Sequence, residues 1–119
     1  MEIISVAQKI ENKIADLERD SKHLQTRARA RAKTSAIYDR ELAKTLMALK
    51  NGKQFKLDNQ TIESPPATIT EKIAKGIVWR EKFAMDKADL LYKNNVEWLR
   101  NLQAILNGLQ SINRYLQDK

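Results

Sequence analysis

The chain has 119 residues, of which 31% are charged and 42% hydrophobic, and a formal net charge of +7. With three glycines and two prolines, that composition suits one domain of long helices better than a compact α/β fold. The absence of cysteine excludes a disulfide framework and thiolate chemistry, and no apolar run approaches the ~20 residues that a membrane-spanning helix needs.

The N-terminus, Met-Glu-Ile-Ile-Ser-Val-Ala-Gln-Lys, lacks the basic region and apolar run of a signal peptide, so a cytoplasmic protein is expected. A heptad pattern then predicts a first long helix over residues 3–50. Ile3, Ile10, Leu17, Leu24, Arg31, Tyr38 and Thr45 recur every seven residues, and Ala7, Ile14, Ser21, Ala28, Ser35, Leu42 and Leu49 form a companion series. The seam is weakest where Ser21, Ala28, Arg31 and Ser35 occupy it, and a kink is expected near 21–35. Asn51-Gly52 supplies the left-handed residue that stops a helix.

In residues 53–63 the period changes. Phe55 and Leu57 alternate with lysines, Asp58-Asn59 offers a turn, and Thr61-Ile62 resumes the alternation, which predicts a small β-hairpin leaning on the helices. Ser64-Pro65-Pro66-Ala67 is a rigid elbow. Thr68 and Glu71 have capping-box spacing, with Thr68 as N-cap of a short helix over 69–75 that closes or bends at Gly76. A second long helix follows over 77–117. Ile77, Ala84, Leu91, Trp98, Ile105 and Ile112 recur every seven residues, so Trp98 is expected in the core. Val78, Met85, Tyr92, Leu99 and Leu106 lie beside them, and Ala88, Leu102, Leu109 and Leu116 fill the other flank. So wide an apolar face exceeds what one helix covers. The expected fold is all-α: a long antiparallel helical hairpin, with the β-hairpin and Pro-Pro elbow between its arms, forming one domain that assembles into a helical bundle as a homo-oligomer.

Charge is concentrated in the first arm. Residues 21–50 hold eight Lys/Arg against two Asp/Glu. Within them, Lys22, Arg27, Arg29, Arg31 and Lys33 occur in twelve residues that contain no carboxylate. A helix basic on several sides, with alanine between its charges, suits a polyanion, and its competing reading is a merely solvated face. Arg40 and Lys44 extend the set. No aromatic interleaves the arginines, so phosphates and shape rather than bases would be read. Trp79, beside Arg80 and Lys82, either packs on the Phe55/Pro65/Pro66 loop, the favoured reading, or anchors a partner together with Phe55. His23 stands alone, away from any metal-ligand cluster, and reads as a spectator. Asp16/Asp20 and Asp86/Asp89 read as surface pairs. No phosphate loop or nucleophile–histidine arrangement occurs, so neither enzyme activity nor a cofactor is expected.

Four segments carry a resemblance. They are Leu-Lys-Asn-Gly-Lys-Gln-Phe-Lys-Leu-Asp (49–58), Ser-Pro-Pro-Ala-Thr-Ile-Thr-Glu-Lys-Ile-Ala-Lys-Gly-Ile (64–77), Met-Asp-Lys-Ala-Asp-Leu-Leu-Tyr-Lys (85–93) and Leu-Asn-Gly-Leu-Gln-Ser-Ile-Asn (106–113). Over residues 49–116 the chain resembles a family of small proteins from phages and prophages of Gram-positive bacteria. The resemblance implies a gene in the early region, near recombination and single-strand-binding functions, and assigns no residue a role. Together these features lead to the expectation of a phage accessory protein, in the bacterial host cytoplasm, binding DNA or a DNA-bound nucleoprotein through its basic helix. Two other expectations stand beside it: an anti-CRISPR-type inhibitor that binds a host effector protein, and a purely structural helical oligomer.

Overall fold

The computed structural model describes residues 3–118. Their order is α1 (Ile3–Lys50), β1 (Phe55–Leu57), β2 (Gln60–Ile62), α2 (Ala67–Ile77) and α3 (Trp79–Gln117). The fold is an all-α helical hairpin with a two-stranded antiparallel sheet between its arms. The described residues fall into two compact units: residues 3–29 with 90–118, and residues 30–89.

Helix α1 is helical throughout residues 21–35, the stretch in which its seam is weakest. Alanine and arginine are strong helix formers, and their alternation over 27–32 sustains the backbone where packing contributes little. The helix closes in a Schellman arrangement. Gly52 takes φ +81°, its N–H donates to the Leu49 carbonyl at 3.1 Å, and the Lys53 N–H donates to the Ala48 carbonyl at 3.0 Å.

In the second unit, β1 and β2 pair with Phe55 opposite Ile62 and Leu57 opposite Gln60. Asp58 and Asn59 both have positive φ, +48° and +67°, the geometry of a two-residue hairpin turn whose twist matches the strands. Leu57 leans on α2: a Cβ placed on Gly76 would lie 3.5 Å from Leu57 Cδ2. Gly76 therefore lies inside α2 and marks a close approach.

The expected capping box does not form. Pro66, with φ −55° and ψ 142°, is the N-cap of α2, no side chain caps it, and Thr68 falls within the first turn. The fixed ring geometry of proline holds the backbone ready for a helix that starts one residue later. Thr70 instead donates its hydroxyl to the Pro66 carbonyl at 2.9 Å. Only Val78, itself buried, separates α2 from α3.

The core of the second unit comprises Tyr38, Leu49, Ala74, Val78 and Ala88, with Thr45 and Thr70 buried among them. Its helices run antiparallel, as Arg31 pairs with Asp89 while Tyr38, one turn beyond Thr34, faces Lys82. The first unit buries Val6, Leu102, Leu106 and the carboxylate-bearing Asp20. Two expectations are corrected here. The companion series Ala7, Ile14, Ser21 and Ala28 is exposed, and Val6 and Asp20, one residue earlier in register, are buried instead. Trp98 is 51% exposed rather than in the core, because α3 turns Leu102 and Leu106 inward and leaves the Trp98 column at the margin.

Candidate nucleic-acid interface

Of the seven basic candidates on α1, Lys22, Arg27 and Arg29 lie in the first unit. At about 100° per residue, Lys22 and Arg29 fall about 160–180° round α1 from the buried Asp20, and so on its outer side. Both are exposed, and among the described residues neither has an ion-pair partner. Arg27 is half-buried, nearer the packed side.

The second unit holds Arg31, Lys33, Arg40 and Lys44. Arg31 stays exposed but reaches α3, its Nε 2.8 Å from Asp89 Oδ1. Lys33 and Arg40 lie about 140–160° round α1 from the buried Tyr38, exposed and without an ion-pair partner among the described residues. Lys44 approaches Glu41 Oε1 at 3.5 Å, an exposed pair that leaves its ammonium largely in water. The seven basic residues thus separate by side of the helix. Lys22, Arg29, Lys33, Arg40 and Lys44 lie away from the buried residues of their own unit, whereas Arg31 is engaged by a carboxylate.

Trp79 is 56% exposed, and the Arg80 guanidinium lies 5.4 Å from its ring centroid. Phe55 is half-buried, with the Lys53 ammonium 5.3 Å from its ring centroid. Lys44, Met47, Lys53 and Phe55 line one open groove of about 430 Å³ in this unit. His23 is exposed, with Nδ1 3.7 Å from Asp20 Oδ1. Among the described residues no cluster of three or more His, Asp or Glu could hold a metal ion, and no helix is long and apolar enough to cross a membrane.

The polar centre of the first unit was not legible as one. Asp20, read from sequence as half of a surface pair, is only 7% exposed and accepts a hydrogen bond on Oδ2 from Trp98 Nε1 at 2.7 Å. Arg19 Nε donates to its Oδ1 at 3.2 Å, and the Asn95 amide donates to its backbone carbonyl at 3.3 Å. The available signal was its place in the seven-residue series Val6, Lys13, Asp20. The Arg19 hydrogen bond first, then that of Trp98, hold the Asp20 carboxyl below its ordinary value of 3.8, and burial opposes them. A carboxyl lowered by folding contributes stability that is fully present above the ordinary value and disappears as pH falls through the lowered one. The wild type should therefore lose more thermal stability between pH 5 and pH 2 than Asp20→Asn, followed by helical circular dichroism; parallel losses would sink this assignment.

No family model, curated protein or solved structure matches the chain.

Proposed function

We propose that the protein is a non-enzymatic accessory factor that binds DNA, or a DNA-bound nucleoprotein, through the outer side of α1. The observation that carries this reading is the sorting of the basic residues. Lys22, Arg29, Lys33 and Arg40 are exposed, face away from the buried residues and form no ion pair among the described residues. Lysines and arginines held on a helix surface with no neutralising carboxylate favour polyanion phosphates, and a solvated face would more commonly be interspersed with acids. With no aromatic among them, contact is to phosphates and independent of sequence. The resemblance to phage early-region proteins supports recombination or replication as the setting.

One observation favours a second reading, inhibition of a host defence effector: the exposed Trp79 with Arg80 over its ring is suited to a protein contact. The two separate in a titration of labelled single- and double-stranded DNA at about 50 and 200 mM salt. Six or more phosphate contacts would weaken saturable binding by about 10³-fold or more over that range. Failure to bind at the lower salt overturns the DNA reading and leaves the protein-partner one.

A further inference from the structure

Charges stop abruptly along α3. The thirteen residues from Asn101 to Asn113 contain no Asp, Glu, Lys or Arg, in a chain that is 31% charged. Thirteen residues make more than three helical turns, so every side of this stretch lacks charge, including the side turned away from the core of the first unit. Solvated helix faces ordinarily carry charges, and charge depletion marks the centre of protein–protein interfaces.

On one flank of this stretch an apolar column stays partly exposed. Trp98, Ile105 and Ile112, seven residues apart, are 51%, 44% and 41% exposed. The Trp98 N–H is already satisfied by Asp20, so the ring is held in one orientation and its exposed part needs no polar partner. A tryptophan fixed in this way is a preordered anchor, with less side-chain freedom to lose on association. Gly108 lies between Ile105 and Ile112, and a Cβ there would meet nothing within 4 Å. A glycine in mid-helix weakens the helix but lets another backbone come close.

We propose that this face of α3 packs against the same face of a second copy of the chain, in a two-fold contact. Surface area and charge both favour that occupant. A folded monomer of 13.7 kDa is expected to expose about 6,600 Å², whereas this chain exposes 8,911 Å². The excess of about 2,300 Å², counted over the whole chain, leaves room for the roughly 800 Å² that each partner buries in a standard stable complex. Two chains of net charge +7 repel, and an uncharged face is where that repulsion is least. The stretch offers no cation to a polyanion and no anion to a basic partner, so its complement is another uncharged apolar surface such as its own.

Sedimentation equilibrium of the full chain tests the proposal, with Ile105→Lys and Gly108→Arg alongside and helix content checked by circular dichroism. Arginine at Gly108 enters open space and is a better helix former than glycine, so the fold of the single chain tolerates it. The wild type is expected at a mass of at least twice 13.7 kDa, and both variants to self-associate about 100-fold more weakly or not at all. A wild type that stays at 13.7 kDa up to about 100 μM, well above the dissociation constants of stable dimers, overturns the proposal. An assembly that survives Gly108→Arg undiminished overturns it equally.

Discussion

Replacing Lys22, Arg29, Lys33 and Arg40 together by alanine should lower DNA affinity about 10²–10³-fold at ~50 mM salt and flatten the salt dependence by about 3.6 in log–log slope. The slope follows from four lost phosphate contacts at about 0.9 each, if every one of the four touches a phosphate. The informative comparison is with Arg27 and Arg31, which belong to the same basic run. Arg31 is drawn to Asp89 at 2.8 Å and Arg27 is half-buried, so their double replacement should change the slope by less than about 1. Equal effects from the two sets would show that the side of the helix does not matter. Circular dichroism of each variant separates lost binding from lost folding, since Arg31→Ala also leaves Asp89 short of one ion pair.

The second large effect is on stability. Leu102 is fully buried in a first unit whose other buried apolar residues are Val6 and Leu106. Leu102→Ala should cost about 2–5 kcal/mol in urea unfolding, because the transfer energy of the lost methyl groups adds to that of the cavity left behind. Leu90, on the same helix but 58% exposed, is the control: Leu90→Ala should stay within about 0.5 kcal/mol. If the two variants unfolded alike, Leu102 would not be the centre of this core. Native domains are stable by only about 5–15 kcal/mol, so the Leu102 variant would lose a substantial fraction of the whole.

Sequence alone determined most of what depends on local chemistry. The seven-residue repeats specify long helices because 3.6 residues per turn bring such positions to one side. Gly52 ends α1 because a left-handed residue lets the last carbonyls find donors, and Asp58-Asn59 turns the hairpin because those residues tolerate positive φ. The Pro-Pro elbow also reads directly, although the choice between Pro66 and Thr68 as N-cap does not: both satisfy local rules, and the extended geometry of Pro66 prevailed. The concentration of positive charge on α1 was likewise legible, since it is a matter of composition.

Tertiary structure decided which face is which. In α3 several apolar columns lie side by side, about 50° apart, and periodicity ranks none of them above the next. Packing selected Ala88, Leu102 and Leu106 for burial and left Trp98, Ile105 and Ile112 half-exposed. Asp20 acts as a buried acceptor because the fold brings to it the Trp98 N–H, 78 residues away in sequence. Arg31 shares the side of the buried Tyr38, seven residues on, and there it meets Asp89 of α3. Each of these choices depends on a partner distant in the chain, and a helix's own sequence encodes the angular positions of its side chains but not the direction from which the partner comes.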